Sequence, residues 1–114
     1  MHEFSIAISI IESVESEANK VNAKSITSLV LDIGTMAGIE FDALDTALEA
    51  AVQGTALSDT TIKVNRIQAK TRCSDCNHTF EIDDFLTPCP QCGGLFNDVY
   101  EGKELKIMSI EVET

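Results

Sequence analysis

The sequence predicts an α+β fold: two helices packed on a three-stranded sheet, with a cysteine-bearing ribbon module inserted between the second and third strands. Three observations carry this prediction. Residues 3–21 and 41–52 repeat apolar side chains at helical spacing. Residues 25–33, 61–70 and 104–112 alternate apolar and polar side chains, the period of a strand. Two Cys-x₂-Cys pairs lie between the last two of these segments.

In the first helix, Phe4, Ala7, Ile8, Ile11, Val14, Ala18 and Val21 fall on one face, Ile6 and Ile10 widen the stripe, and Glu15 intrudes at its edge. Asn22-Ala23-Lys24 makes a short turn into the first strand, where Leu29, Leu31 and Ile33 share a side. The run from Gly34 to Gly38 breaks that strand. The second helix presents Phe41, Leu44, Leu48, Ala51 and Val52 on one face; Asp42 and Asp45 suit its positive end, and Gly54 suits its C-terminal cap. Ser58-Asp59 turns the chain into the second strand, Thr61 to Lys70, whose alternation slips phase between Val64 and Ile67 and predicts a bulge. The third strand slips similarly between Ile107 and Ile110. Residues 1–70 and 101–114 are therefore expected to form one α+β domain, and residues 71–100 a separate ribbon module.

A chain of 114 residues, 44% hydrophobic, suffices for one domain with a small appendage. No apolar run approaches the roughly 18 residues of a membrane span, and Met1-His2-Glu3-Phe4 has no basic leader-like region. The expected location is the cytoplasm, away from membranes, where thiols stay reduced and four cysteines point to a metal rather than to disulfides. The 19 acidic side chains against 8 basic ones give a formal charge of −11. Such a surface repels nucleic acid, whose binding depends on Lys and Arg at phosphates. It suits soluble protein partners or cationic metals.

Cys73-x₂-Cys76 and Cys89-x₂-Cys92, twelve residues apart, supply two knuckles and a tetrahedral four-sulfur cage, which fits structural Zn²⁺. Pro88, Pro90 and Gly93-Gly94 suit the sharp turns, and Phe80, Ile82, Phe85 and Leu86 are candidates to cover the site. A rubredoxin-type iron or a redox dithiol shares the same chemistry. A closed cage leaves no coordination position for catalysis. Between the first and last cysteine stand Asp75, Glu81, Asp83 and Asp84 with no Lys or Arg, and Arg66, Lys70 and Arg72 just before them are a weak patch, so the ribbon is not expected to read nucleic acid. His78 is read as a solvated residue or a support of the zinc module, with exchange for a thiolate as the minor alternative.

Met1-His2-Glu3 has an ordinary reading: Glu3 favours a helix N-terminus and His2 is solvated. It also places the α-amine, the His2 amide nitrogen and His2 Nδ1 in consecutive chelate rings, with the Glu3 carboxylate and amide as further donors, a set suited to square-planar Ni²⁺ or Cu²⁺. The order of several motifs adds to this. Met1-His2-Glu3 opens a helix, followed by Leu31-Asp32-Ile33-Gly34, Gly38-Ile39-Glu40, Ala43-Leu44 and Gly54-Thr55. Then come Cys73-x₂-Cys76 with Phe80, Cys89-Pro90-x-Cys92-Gly93, Gly102-Lys103-Glu104-Leu105 and Ile110-Glu111-Val112-Glu113. In this order, over nearly the whole chain, the sequence resembles the HypA/HybF family of nickel-insertion accessory proteins.

The resemblance implies a metallochaperone that delivers Ni²⁺ as cargo to the [NiFe]-hydrogenase large subunit precursor, with a HypB-type GTPase, and in some organisms supports urease maturation proteins. It implies nickel at Met1, His2 and Glu3, and structural zinc at Cys73, Cys76, Cys89 and Cys92. Family members often carry an aromatic residue where this chain has Ala50 or Ala51. No phosphate loop, metalloprotease motif or activated nucleophile stands in the sequence, so no enzyme is expected. The rival function is a zinc-ribbon interaction module without mobile metal. Both monomer and homodimer remain open.

Overall fold

The computed structural model describes residues 2–114. Helix α1 spans His2–Lys20, with Glu3 in its first turn and Lys20 in its last, both matched to the helix dipole. Its buried line is Ala7, Ile10, Ile11, Val14 and Ala18. The predicted apolar face is thus rotated: Ile10 lies in the core, whereas Phe4 and Ile8 stay partly exposed and Val21 falls beyond the helix, in water. The helix ends because Asn22 turns left-handed (φ 54°). The Ala23 amide then bonds the Ala18 carbonyl and the Asn22 amide bonds that of Asn19, closing the helix with a Schellman motif.

Strand β1 (Ser25–Gly34) is central in a sheet of order β2-β1-β6, with β2 at Thr61–Ile67 and β6 at Leu105–Glu113. The Thr60 hydroxyl bonds the Ile26 carbonyl and the Thr35 amide bonds that of Ile67, so β1 and β2 ascend together and run parallel. Lys24 to Glu113 and Gly34 to Glu104 pair in the opposite sense, so β6 is antiparallel to β1. A parallel neighbour requires a crossover, and α2 (Phe41–Ala51) supplies it. The Glu40 carboxylate caps α2 by accepting from the Ala43 amide at 2.7 Å.

The chain divides into two compact units. The first comprises the chain up to Leu31, Ile39–Val64 and Ile107–Thr114. Its core holds Val14, Leu29, Leu31, Leu44 and Leu57, all fully buried, and the Glu15 carboxylate fastens the Ala56 amide. The second comprises Asp32–Gly38 and Asn65–Lys106, and so takes in more chain than the cysteine segment alone. It carries β3 (Lys70–Cys73), β4 (Thr79–Glu81) and β5 (Asn97–Glu101) in a sheet of order β4-β3-β5. Strand β3 pairs antiparallel with both neighbours, Thr71 facing Phe80 on one side and Val99 on the other.

The phase slip predicted as a bulge within one strand is a strand break. β2 stops at Ile67, and Lys70 already belongs to the second sheet. Gln68 and Ala69 are held aside between them. The Gln68 side-chain Nε2 donates to the Ile82 carbonyl, the Ala69 backbone amide to the Thr35 hydroxyl, and the Ala69 carbonyl accepts from the Ile82 amide.

Candidate metal centre

The two cysteine pairs fold into matching knuckles. In the first, the Asn77 amide bonds the Cys73 carbonyl and the Cys73 amide bonds the His78 carbonyl. In the second, Gly93 bonds Cys89 and Cys89 bonds Gly94 in the same way. Each turn needs a left-handed residue after its second cysteine, and Asn77 (φ 62°) and Gly93 (φ 74°) provide it. The signal was present in the sequence as a repeat, Cys-x₂-Cys followed by Asn or Gly, but only the glycine was legible as a turn residue without the pair aligned. A Cβ on Gly94 would lie 2.6 Å from Asp75 Oδ2 and 3.3 Å from Cys92 Sγ, so a larger residue there would displace the Asp75 carboxylate and press on the sulfurs.

These knuckles bring the sulfurs of Cys73, Cys76, Cys89 and Cys92 within 4.8 Å of one another. Cys73 and Cys92 stand 3.5 Å apart, and Cys76 and Cys89 3.6 Å. A tetrahedral site with metal–sulfur bonds of about 2.3 Å has edges of about 3.8 Å, so the donor set and its spacing fit a four-coordinate metal ion. Cys73 and Cys89 are buried, while Cys76 and Cys92 face solvent.

The thiols also constrain each other's protons. Burial opposes ionisation of Cys89, but the Cys92 and Gln91 amides and the Cys76 and Cys92 thiols outweigh it and hold its pKa at about 7. The Gly94 amide favours the Cys92 thiolate, yet the Cys73 and Cys76 thiols and burial push that group up to about 12. The His78 amide likewise favours the Cys76 thiolate, and desolvation with the Cys89 and Cys73 thiols raises it. Four thiolates at this spacing repel one another, and a divalent cation is what allows all four to be ionised together.

Ile82 is buried beside this module as expected, but Phe85 and Leu86 are not covers: they are 56% and 80% exposed. A turn closed by Asp84, whose carboxylate accepts from the Leu86 amide and whose carbonyl accepts from Thr87, directs the chain outward there. His78 stacks its ring on Phe80 with centroids 5.8 Å apart.

At the other candidate site, Met1 lies outside the described residues. The His2 side chain is 70% exposed on the first turn of α1, with Nδ1 4.0 Å from Glu3 Oε2. The Glu3 carboxylate accepts from the Glu40 amide at 3.2 Å, across 37 residues of sequence. Glu40 is the cap of α2, so Glu3 ties the start of one helix to the start of the other, a bond that no local pattern reveals. A shallow apolar groove of about 430 Å³, lined by Phe4, Asp42, Ala43, Thr46, Ala47 and Ala50, lies alongside.

The Glu40 amide, and then its own, hold the Glu3 carboxyl below its usual value of 4.5. A depressed carboxyl stabilises the fold above its unfolded pKa and loses that contribution as pH falls through the folded one. The Glu40 amide resonance is therefore expected to titrate with a midpoint below 4.5 and to lose that titration in Glu3→Gln. A midpoint at or above 4.5 in an NMR titration would contradict the bond.

Residues 1–112 match the family described as "Hydrogenase/urease nickel incorporation, metallochaperone, hypA". The chain belongs to the HypA family. The hydrogenase maturation factor HypA of Parabacteroides distasonis is 38% identical over 113 residues, spanning 99% of this chain and 98% of its own. That of Geotalea uraniireducens is 36% identical, spanning 99% and 100%. Among solved structures, a HypA protein in solution superposes with a TM-score of 0.70 at 24% identity, over 98% of this chain and 96% of its own. The Ni metallochaperone HypA from Helicobacter pylori gives 0.67 at 23% identity, over 97% of each. Both share the fold with this HypA-family chain. No helix among the described residues is long and apolar enough to cross a membrane.

Proposed function

We propose that this chain is a nickel metallochaperone that binds Ni²⁺ at Met1, His2 and Glu3 and delivers it to the [NiFe]-hydrogenase large subunit precursor during maturation. Membership of a family described by hydrogenase and urease nickel incorporation carries the reading. The exposed His2 imidazole on the first turn of α1 supports it. A site at a chain terminus rearranges at low cost, since little packing opposes it, which suits a protein that must release what it binds. His2 ligates only when neutral, and a coordinated amide must lose its proton, so protonation favours release.

In this reading the four cysteines hold Zn²⁺, which keeps the ribbon folded and takes no part in transfer. Their closed sulfur cage offers no open position for a substrate. The chain is accordingly a carrier and not an enzyme. It acts in the cytoplasm with a HypB-type GTPase.

The test is maturation in cells lacking the native gene. His2→Ala is expected to abolish hydrogenase activity and excess nickel in the medium to restore part of it, with the protein at native abundance. Full activity with His2→Ala would remove the terminal site from the mechanism.

A further inference from the structure

The hairpin that carries the second knuckle turns apolar side chains into water. Phe85, Leu86, Leu95 and Phe96 are 56%, 80%, 62% and 77% exposed. They belong to the two arms of that one hairpin, because the Cys89 amide bonds the Gly94 carbonyl and the Asn97 side chain bonds the Thr87 carbonyl. Two large apolar pairs on opposed arms, none of them in the buried set around the sulfurs, are what interaction surfaces look like before they are covered. Aromatic and large aliphatic residues are the types that anchor protein interfaces.

The charge around them selects the occupant. Asp75, Glu81, Asp83, Asp84 and Asp98 are all exposed on the same unit. Three of its five Lys and Arg side chains are engaged close to home. Lys103 sits 5.5 Å from the centre of the Phe85 ring, Arg72 5.9 Å from that of Tyr100, and Lys70 pairs with Glu101 at 3.4 Å. An apolar surface on a predominantly acidic unit disfavours anionic lipid and nucleic acid, and complements a segment that carries both cations and large apolar residues.

We propose that the Phe85-Leu86 and Leu95-Phe96 hairpin is a docking surface for a cationic amphipathic segment of a partner protein. The surface is separate from the nickel-binding residues, so it stands or falls independently of the delivery reading. Docking there gives the ribbon a role beyond holding its own shape.

The test uses the full zinc-loaded chain and fluorescence anisotropy with a labelled amphipathic Leu/Lys peptide and its Leu/Glu counterpart. The Lys peptide is expected to bind the native chain and the Glu peptide to fail. Leu86→Ser combined with Phe96→Ser is expected to weaken binding at least tenfold. Asp83→Asn combined with Asp84→Asn, which keeps the oxygen acceptors used by Gln68 and Leu86, is expected to weaken it severalfold. Met108→Ser, an exposed site in the other unit, is expected to leave it unchanged. Metal content and circular dichroism report that the variants are folded. Equal binding by the native chain and the apolar double variant would overturn the proposal. So would patch-dependent binding to phosphatidylserine vesicles, or a dimer in sedimentation that the double variant abolishes, since the occupant would then be a lipid surface or a second copy.

Discussion

Stripping the metal with a chelator, or replacing Cys89 by serine, is expected to melt strands β3, β4 and β5 while α1 and α2 remain helical. Between Lys70 and Glu101 the buried apolar residues are Cys73, Ile82 and Cys89, so Ile82 is the one large aliphatic among them, worth about 1.5–3 kcal/mol. Thr71 is also fully buried, and its hydroxyl lacks a hydrogen-bond partner. A structural zinc in a four-thiolate cage contributes about 10–16 kcal/mol of apparent binding energy, the largest favourable quantity in the module. The first unit has its own core of Val14, Leu29, Leu31, Leu44 and Leu57 and does not contain the cage. Hydrogen exchange checks this directly: amides of β3–β5 should lose protection on metal removal and those of α1 and α2 should keep it. Undiminished protection in β3–β5 without metal would show that the ribbon folds by its side chains alone.

Gly34→Ala is expected to cost about 3 kcal/mol or more, enough to lower the yield of folded protein. The second unit brings three stretches of chain together where no side chain fits. A Cβ on Gly34 would lie 1.9 Å from the Gly102 carbonyl oxygen, and a Cβ on Gly102 would lie 2.2 Å from the Ala69 Cα. Both obstacles are backbone, which cannot rotate away as a side chain can. The crossing is fixed by hydrogen bonds on every side: Met36 to Gly102, Gly34 to Glu104, and Gly102 to the Glu104 carboxylate. Gly102 also has φ +104°, a conformation that L residues resist. Gly54→Ala isolates the cost of backbone conformation, with φ +75° and nothing within 4 Å of the added carbon; it should cost only about 1 kcal/mol. Gly34 has no positive φ, so its loss reports the crossing. Denaturant melts of the two variants check this: a Gly34→Ala loss no larger than that of Gly54→Ala would mean that the crossing accommodates the added carbon.

Periodicity made α1, β1 and α2 legible because each is long enough to show its repeat and buries one face. It misjudged the end of β2, since the slip between Val64 and Ile67 looks the same whether a strand bulges or stops. The ribbon's own sheet left no periodic trace: its strands β3, β4 and β5 have four, three and five residues, and the knuckles position them. Cysteine spacing revealed the cage because ligands at two-residue gaps need a particular turn, whatever surrounds it. Phe85 and Leu86 were misread as its cover because apolar character records a preference for burial and not the surface that will provide it. The bond from Glu3 to the Glu40 amide was invisible for another reason: it joins two helix starts that only the tertiary fold brings together.

The proposed placement of nickel at Met1, His2 and Glu3 is checked by calorimetric titration with Ni²⁺. Three zinc-loaded proteins are compared: the native chain, His2→Ala, and the native chain extended by one N-terminal glycine. Tight binding is expected for the first and a loss of at least a hundredfold for both others, because the His2→Ala change removes the imidazole and the extension displaces the α-amine from the chelate. Equal affinity in all three would put the nickel elsewhere on the protein.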